Sequence, residues 1–248
     1  MNEARAWQET IVVFAPHPDD ETLGCGGTIA KKFEEGFNVY VVFMTDGRNS
    51  HLSTLGITSK PSPEELIWIR RNEANKACKH LGLNADSLLF LNFEDGSLEK
   101  KIECAKQKVS KILEELNVVE CFFPHETDLH HDHRATSIIV KESVRMLKIT
   151  PRLYQYIIWA PRLHRHMLLD PRKYQHVLLN PKANDKTATE KLVKIDISSY
   201  LPRKKMALEE YKSQISIFSK NQQSTILSKS FIKHFLKSYE TFWLGNPK

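Results

Sequence analysis

The first 150 positions of the chain alternate between two patterns of apolar and polar residues. Short apolar runs rich in β-branched residues predict strands at 10–15, 39–44, 88–93 and 118–123. Each is followed by a stretch with apolar residues at helical spacing, which predicts helices at 22–35, 63–81, 98–116 and 134–147. Four strand-helix units in succession predict an α/β fold of Rossmann-like, three-layer architecture, a mostly parallel sheet flanked by helices.

The remainder of the chain is less regular. Prolines stand at 151, 161, 171 and 181, each followed by Arg or Lys, and we interpret 151–198 as strands plus an excursion over the active face. Residues 202–242 are predicted to form two closing helices. Because no change in composition marks a boundary, we expect a single domain over residues 1–248.

Composition narrows the class of protein. The chain has 248 residues, 41% of them hydrophobic, which is enough for a packed core and excludes disordered and collagen-like polymers. The absence of a long uncharged apolar run or a basic-then-apolar leader leads us to expect a cytoplasmic protein without a membrane span. Four dispersed cysteines without a Cys-x-x-Cys pair favour reduced, mostly buried thiols.

The net charge of +6 is a property of the C-terminal region. Residues 200–248 carry nine Lys/Arg and three Asp/Glu, whereas the first 199 residues sum to zero. A nucleic-acid binder carries such a basic patch, but these cations stand among Ile, Leu and Phe at helical spacing. We interpret them as a solvated helix face or a subunit interface and expect no nucleic-acid partner.

Chemically reactive side chains follow the first and fourth predicted strands. Residues 17–21 read His-Pro-Asp-Asp-Glu, and residues 130–133 read His-His-Asp-His. Ligands of such sheets bind beyond the carboxyl ends of the strands, so both clusters fall on the predicted binding edge. Burying these carboxylates without a cation would be costly, and two imidazoles with one carboxylate suit zinc with an open position for water.

These two motifs together resemble the zinc-dependent de-N-acetylases of the PIG-L and LmbE-like family. That family includes deacetylases of N-acetylglucosaminyl lipids, of mycothiol and bacillithiol precursors, and of chitin disaccharides. Less specific agreement extends along the chain through Thr45-Asp46-Gly47, Arg70 with Glu73, Leu81-Gly82, Glu94-Asp95-Gly96 and Ser213-Gln214. The resemblance implies a hydrolase that removes the N-acetyl group from an N-acetylglucosamine-type sugar or glycoside, giving a free amine and acetate.

The resemblance also assigns roles to individual residues. It implies His17, Asp20 and His133 as the ligands of one Zn²⁺ per chain, although this donor set also suits Fe(II), Co(II) or Ni(II). It implies Asp19 as the general base acting on a metal-activated water. His130 would be the cation that stabilises the oxyanion, with Asp132 holding its imidazole in tautomer and charge state.

The same pattern makes Arg48, Arg70 and Asp95 candidates for binding the hydroxyl groups of the sugar. Arg70 and Glu73 stand at i, i+3 on a predicted helix and could instead pair with each other. The 48–62 loop and the 151–190 excursion are expected to recognise the aglycone, whose identity the sequence leaves open. Trimers and hexamers occur among the members of that family, so we expect a homo-oligomer, and the sequence leaves the number of subunits open.

Three polar residues near the second motif have weaker assignments. His131 lies between two functional histidines, so we expect it to point towards solvent or a neighbouring loop. His125 is a candidate for contacting a metal-ligating residue without itself binding the metal. Asp128 receives no role from the sequence.

Two other classes of protein compete with the hydrolase. A dinucleotide-binding oxidoreductase is indicated by Gly24, Gly26 and Gly27 after a strand, but Ile29 stands where its third glycine should be. These glycines are better explained by close packing of the first helix. A non-catalytic carbohydrate-binding relative is the other alternative, and the presence of Asp19 beside all three implied ligands argues against it.

Overall fold

The structure is a computed structural model that describes residues 9–160, 191–218, 220 and 222–245. Its strands are β1 Thr10–Ala15, β2 Asn38–Thr45, β3 Leu88–Phe93, β4 Val118–Pro124, β5 Arg152–Tyr156, β6 Lys191–Asp196 and β7 Tyr239–Gly245. Its helices are α1 Asp20–Glu34, α2 Ser50–Leu55, α3 Pro63–His80, α4 Ile102–Leu116, α5 His131–Leu147, α6 Leu201–Glu209, α7 Lys212–Ile215 and α8 Lys229–Lys233. Most of the proline-spaced excursion, residues 161–190, lies outside the described residues.

The strands form one sheet in the order β3-β2-β1-β4-β5-β7-β6. The five strands from β3 to β5 run parallel, and β7 pairs antiparallel with both β5 and β6. The chain leaves β1 towards β2 on one side and later returns to β4 on the other side. This reversal places a crevice at the carboxyl ends of β1 and β4, where sheets of this kind bind ligands.

Alternating residues of β1 face two separate apolar layers. Ile11 and Val13 pack in one core with the apolar sides of α1, α3 and α6, while Val12 and Phe14 pack in a second core with α4 and α5. A strand covered on both faces must be apolar throughout, which is why β1 reads as a continuous hydrophobic run. The predicted three-layer α/β fold is confirmed.

The C-terminal prediction of two helices over 202–242 is wrong. The region forms the short helices α6, α7 and α8 and then enters the sheet as β7. Glu240 and Phe242 lie on one face of β7 and are buried, so their spacing of two residues is that of a strand. The signal is weak because buried Glu240 interrupts the apolar pattern, and its burial is made tolerable by Lys204, Thr28 and the Gly27 amide.

Helix boundaries near the two chemical motifs also differ from the prediction. Helix α1 begins at Asp20 instead of 22, and α5 begins at His131 instead of 134. The side chain of His130 accepts a hydrogen bond from the Asp132 amide and thereby caps α5. Asp20, Glu21 and Asp132 therefore lie in the first turns of helices, although the predicted helices began after them.

The glycines after β1 are interior residues of α1. A Cβ on Gly24 would stand 2.7 Å from the ring of Tyr156, and one on Gly27 would overlap the side chain of Ile197. Close packing of the helix therefore explains these glycines. The dinucleotide-binding alternative loses its main support, since the residues do not form a loop around a phosphate.

Two further expectations concern membranes and thiols. In the described part of the chain, none of the helices has both the length and the apolar character that crossing a bilayer demands. The four cysteines are free, and all but Cys104 are buried. The expectation of mostly buried thiols is confirmed.

Candidate metal centre and active site

A tight turn after β1 folds the Asp20 side chain back onto His17. The Asp20 amide donates to the His17 carbonyl at 3.2 Å, and the His17 amide donates to Asp20 Oδ2 at 3.0 Å. Both side chains are buried. His17 and Asp20 have two residues between them in sequence, and the turn brings their imidazole and carboxylate into direct contact.

The three residues implied as metal ligands meet at one carboxylate oxygen. Asp20 Oδ2 lies 3.1 Å from His17 Nδ1 and 3.1 Å from His133 Nε2. His133 reaches this point from the first turn of α5, after β4, because β1 and β4 are neighbours in the sheet. Burial opposes ionisation of Asp20, but the two histidines hold the pKa of its carboxyl well below its usual range.

The donor set fits a divalent transition metal. The ring nitrogens of His133 are completely buried and lie at ion-pair distance from carboxylates without an aligned hydrogen bond. One ring nitrogen from each of His17, His130 and His133 lies within 4.8 Å of the others. Imidazole nitrogens at this spacing beside the Asp20 carboxylate have the composition of a zinc site, with His130 a further possible donor.

Asp128 has a role that sequence reasoning missed. It is buried, and its Oδ2 lies 3.2 Å from His133 Nδ1 while accepting the backbone amides of Ile158 at 2.9 Å and Trp159 at 3.0 Å. Its Oδ1 accepts the amide of His130 at 3.0 Å. Asp128 thus orients His133 so that Nε2 faces Asp20. Metal-binding histidines commonly donate their other nitrogen to a carboxylate, so an acidic residue within a histidine cluster is the signal that could have identified it.

Two carboxylates hold the other side of the His17 ring. His17 Nε2 lies 3.1 Å from Asp95 Oδ1 and 3.2 Å from Asp132 Oδ2. Burial alone would lower the pKa of His17, but Asp95, Asp132 and Asp20 together raise it well above its usual value. The carboxylates that would be costly to bury alone are therefore gathered around one imidazole.

The expected support of His130 by the Asp132 carboxylate needs correction. The Asp132 carboxylate accepts the amides of Gly96 at 2.7 Å and Leu98 at 3.0 Å besides contacting His17. What fixes the His130 tautomer is the backbone amide of Asp132, which donates to His130 Nδ1 at 3.3 Å. The acceptor role of Nδ1 leaves the proton of a neutral ring on Nε2.

The surroundings of His130 oppose its expected positive charge. Burial lowers the pKa of His130 to about 3, and the neighbouring His17 and His133 lower it further than Asp132 can raise it. His130 is therefore a neutral hydrogen-bond donor through Nε2–H. A neutral imidazole can still donate to a developing oxyanion.

Asp19 lies at the start of α1 beside the candidate ligands. Its Oδ2 accepts a hydrogen bond from Arg70 Nη2 at 3.0 Å, and only 6% of the residue is exposed. Burial raises the pKa of Asp19 to about 8, although the Arg70 charge opposes this change. The implied base therefore stands next to Asp20, with a buried arginine behind it.

Arg70 differs from its expected role as a substrate contact. It is 2% exposed, and besides Asp19 it donates to the carbonyls of Pro18 at 2.5 Å and Gly47 at 3.1 Å. The alternative pairing with Glu73 is also wrong, because the Glu73 carboxylate accepts the amide and hydroxyl of Ser213, both at 2.7 Å. Arg70 supports the loop after β1 and the Asp19 carboxylate.

The other two substrate candidates have different surroundings. Asp95 is buried, with Oδ1 on His17 and Oδ2 accepting the Asn49 amide at 3.0 Å, so in this structure it holds His17 instead of facing a sugar. Arg48 is partly exposed and forms a two-point ion pair with Asp46 Oδ2 at 2.7 and 2.9 Å. Of the three candidates, Arg48 is the one with an accessible side chain.

His131 and His125 lie at the margin of the centre. The side chain of His131 is 39% exposed and stacks on His130 with ring centroids 4.5 Å apart, in agreement with the expected outward direction. His125 is buried, and Thr127 holds its Nδ1 at 2.8 Å. Its ring packs 5.4 Å from that of Trp243 in β7.

Comparison with known families agrees with the chemistry of this centre. The family model described as PIG-L, GlcNAc-PI de-N-acetylase, matches residues 12–144, more than half of the chain. That range contains both motifs, the three implied metal ligands, Asp19 and His130. The chain belongs to the PIG-L family.

Two curated relatives have names that state an activity. A probable N-acetyl-α-D-glucosaminyl L-malate deacetylase 2 of Bacillus cereus is 31% identical over 140 residues, which is 55% of this chain and 61% of the relative. A diacetylchitobiose deacetylase of Thermococcus kodakarensis is 30% identical over 149 residues, which is 58% of this chain and 52% of the relative. The matches thus span between half and two thirds of these relatives.

A solved structure with the same fold extends the similarity beyond those matches. The N,N'-diacetylchitobiose deacetylase of Pyrococcus horikoshii superposes with a TM-score of 0.67 at 22% identity, covering 96% of this chain and 84% of that one. The superposition establishes that the two proteins share a fold. The predicted family and fold are both confirmed.

Proposed function

We propose that this protein is a metal-dependent hydrolase that removes the N-acetyl group from an N-acetylglucosamine-type sugar or glycoside, giving a free amine and acetate. Membership of the PIG-L family and the names of the two curated relatives support the reaction class. The buried cluster of histidine and aspartate donors supports dependence on a metal. Zinc is the proposed ion, one per chain.

One observation carries the proposal. His17 and Asp20 follow β1, His133 follows β4, and the three side chains meet within 3.1 Å at one carboxylate oxygen although more than a hundred residues separate His133 from the other two in sequence. Both ring nitrogens of His133 are buried and face carboxylates, Nε2 towards Asp20 and Nδ1 towards Asp128, which is the usual setting of a metal-binding histidine. We propose His17, Asp20 and His133 as the residues that hold the metal.

Hydrolysis of an unactivated amide requires a nucleophile, stabilisation of the oxyanion and a proton for the departing amine. A divalent zinc ion supplies Lewis acidity and lowers the pKa of a coordinated water from about 15.7 to about 7. Asp19, beside Asp20, is the proposed general base that takes the proton of the attacking water and returns it to the amine. A positioned base of this kind contributes about 10² to 10⁴ in rate.

His130 is the proposed donor to the amide oxygen. Its Nε2 carries the proton because Nδ1 accepts the Asp132 amide, and its ring centroid lies 4.7 Å from that of His17. It can therefore donate to negative charge that develops beside the metal site. Asp132 is a proposed positioning residue, which acts on His130 through its backbone and on His17 through its carboxylate.

The substrate beyond the N-acetyl sugar is assigned only as a class. Arg48 is the proposed contact to sugar hydroxyls, since Arg70 and Asp95 are engaged with Asp19 and His17. The aglycone, the single-domain organisation, the homo-oligomer and the cytoplasmic location stay predictions.

The test is an acetate-release assay on free N-acetylglucosamine, diacetylchitobiose, and malate and inositol glycosides of N-acetylglucosamine. The chelated protein and the protein reloaded with zinc are compared on each compound. Zinc-dependent release from at least one compound is expected, and Asp19→Asn should abolish most of it while zinc stays bound. Sugar binding without release by the zinc-loaded protein would favour the non-catalytic carbohydrate-binding alternative.

A further inference from the structure

The backbone of Asp19 adopts a conformation that L-residues rarely adopt. Its φ is 134° and its ψ is −28°, at the junction between the loop after β1 and the start of α1. A non-glycine residue in this region is strained and persists only where its surroundings hold it. The conformation decides where the Asp19 carboxylate lies relative to Asp20.

Hydrogen bonds hold Asp19 from both sides of the strained residue. On one side the Asp19 amide donates to Glu21 Oε2 at 3.0 Å. On the other side Arg70 donates to the Pro18 carbonyl and to the Asp19 carboxylate. The Asp19 amide and the Pro18 carbonyl belong to the same peptide group, so Glu21 and Arg70 together fix the peptide plane that precedes Asp19.

Glu21 is in turn fixed by a residue from the C-terminal region. Its Oε1 accepts a hydrogen bond from the hydroxyl of Tyr211 at 2.5 Å and a short one from the hydroxyl of Thr22. Glu21 and Tyr211 are both fully buried. Tyr211 caps the start of α7 and lies outside the 12–144 range that the family model matches.

We propose that Tyr211 and Glu21 are positioning residues for Asp19. The Tyr211 hydroxyl fixes the Glu21 carboxylate, Glu21 holds the Asp19 amide, and the strained backbone then directs the Asp19 carboxylate to its working position. The catalytic part of this inference rests on the proposed function, in which Asp19 is the general base. The C-terminal region thereby completes a site whose reactive residues all lie in the first 133 positions.

The test removes single polar atoms from this chain of contacts in the full-length, zinc-loaded protein. Tyr211→Phe keeps the ring and deletes the hydroxyl, and Glu21→Gln keeps the shape and weakens the acceptor. Misplacement of a reacting group by about 1 Å can cost about a hundredfold in rate, so we expect kcat to fall by about ten- to a hundredfold in both variants. KM and the zinc Kd should stay within about twofold of wild type, since uniform binding is not affected.

Tyr156→Phe is the matched control. Tyr156 is buried as well, and its hydroxyl donates to the Phe14 carbonyl at 2.8 Å and not to Glu21. We expect this variant to lose as much thermal stability as Tyr211→Phe while keeping its kcat. A Tyr211→Phe enzyme with the kcat of wild type, or a loss of kcat that Tyr156→Phe matches, overturns the proposal.

A crystal structure of Tyr211→Phe gives a readout that does not depend on activity. The φ of Asp19 should leave the positive region, or the Asp19 carboxylate should turn away from Arg70. An Asp19 backbone that is unchanged in both Tyr211→Phe and Glu21→Gln overturns the positioning role. If the wild-type protein releases acetate from none of the four compounds, the proposed function fails, and this structural comparison still decides whether Tyr211 and Glu21 hold Asp19.

Discussion

At the scale of single residues, the site is organised by which nitrogen of each imidazole is held from behind. The Asp128 carboxylate lies on His133 Nδ1, and the Asp132 amide lies on His130 Nδ1. In both rings Nε2 is therefore left for the centre. His130 and His133 are the same residue type in one short motif, but their tautomers and roles follow from these different partners.

Replacement of His130 tests its role as the oxyanion donor. Loss of one such donor costs about 3–4 kcal/mol, so His130→Ala should lower kcat by a hundredfold or more. Zinc content, measured by mass spectrometry of the purified variant, should stay at one per chain. His131→Ala is the control, because that side chain is partly exposed and stacks on the outer face of His130. Normal turnover by zinc-replete His130→Ala would remove the assigned role, and loss of zinc would make His130 a ligand instead.

Asp128 is expected to affect metal affinity. Asp128→Asn replaces a carboxylate that contacts His133 and accepts three backbone amides. Replacing such an orienting carboxylate typically weakens metal binding by about 10- to 100-fold, which a chelator-competition titration with zinc would measure. Asp86→Asn, at an exposed turn, is the control. An unchanged zinc Kd in Asp128→Asn would contradict its orienting role.

His51 is expected to make stability depend on pH. Burial and then the Arg70 charge lower its pKa to about 4, from an ordinary value of 6.5. As the pH falls from 6.5 towards 4, His51 binds a proton in the unfolded chain but not in the folded protein, so the free energy of unfolding decreases over this range. Above that window it has no such effect.

Chemical denaturation of His51→Gln at several pH values tests this dependence. Relative to the variant, the wild type should lose on the order of 1 kcal/mol of unfolding free energy between about pH 7.5 and about pH 5. The Gln side chain does not titrate, so the variant itself is the reference at each pH. A difference between the two proteins that stays constant over this range would contradict the prediction.

At the scale of elements, α1 carries the site residues and depends on close contact with its neighbours. Its first turn supplies Asp20, and its middle lies against Ile197 and β7 through Gly27. The Gly27 amide donates to Glu240 at 2.9 Å, which in turn pairs with buried Lys204 at 2.6 Å. The C-terminal elements therefore fix the orientation of α1, which carries the proposed metal ligand Asp20.

A methyl group at Gly27 tests this contact. The Cβ of Gly27→Ala would approach Ile197 Cβ to 2.6 Å. Overpacking of this kind costs about 1–3 kcal/mol, which should outweigh the gain in helix propensity of up to about 1 kcal/mol. The expected result is a lower free energy of unfolding in urea.

A double-mutant cycle separates the clash from other effects of the alanine. In an Ile197→Ala background the clash is absent, so Gly27→Ala should be neutral or stabilising. Equal destabilisation in both backgrounds would show that contact with Ile197 is not the reason for the glycine.

At the scale of the whole molecule, the sheet order brings the two motifs together. β1 and β4 are neighbours, so the residues after them share one crevice although the chain passes through β2 and β3 in between. The same crevice gathers the carboxylates of Asp20, Asp95 and Asp132, which follow three different strands, around His17. A bound cation would relieve the mutual repulsion of these groups, so metal binding should stabilise the entire fold.

Thermal unfolding with and without zinc tests that coupling. A ligand at a hundred times its Kd adds about 2.7 kcal/mol, and for a protein of this size each kcal/mol raises the Tm by about 2–4 °C. Zinc added to chelator-treated protein should therefore raise the Tm by about 5–10 °C. His133→Ala should show little of this increase, and an equal increase in that variant would place the stabilising zinc elsewhere.

Much of the architecture follows from local pattern. The strand at 88–93 and the helix from Pro63 were predicted at their observed starts, since five of the six residues of β3 are apolar and the helix has a capping box between Ser62 and Glu65. The first turns of α1 and α5 were missed because their charged residues are held by tertiary contacts. β7 was missed because the partners that make Glu240 acceptable lie far away in sequence.

The sequence by itself determined the four strand-helix units and the edge where His17 and His133 would gather, because both depend on side-chain periodicity and on the polarity of parallel strands. Only the tertiary structure decided what each polar group faces. It placed Arg70 on Asp19, the Asp132 carboxylate on His17, Asp128 on His133 and Tyr211 on Glu21. Such assignments depend on distances between residues remote in the chain, and burial makes each partner decisive because an unpaired charge in the interior is costly.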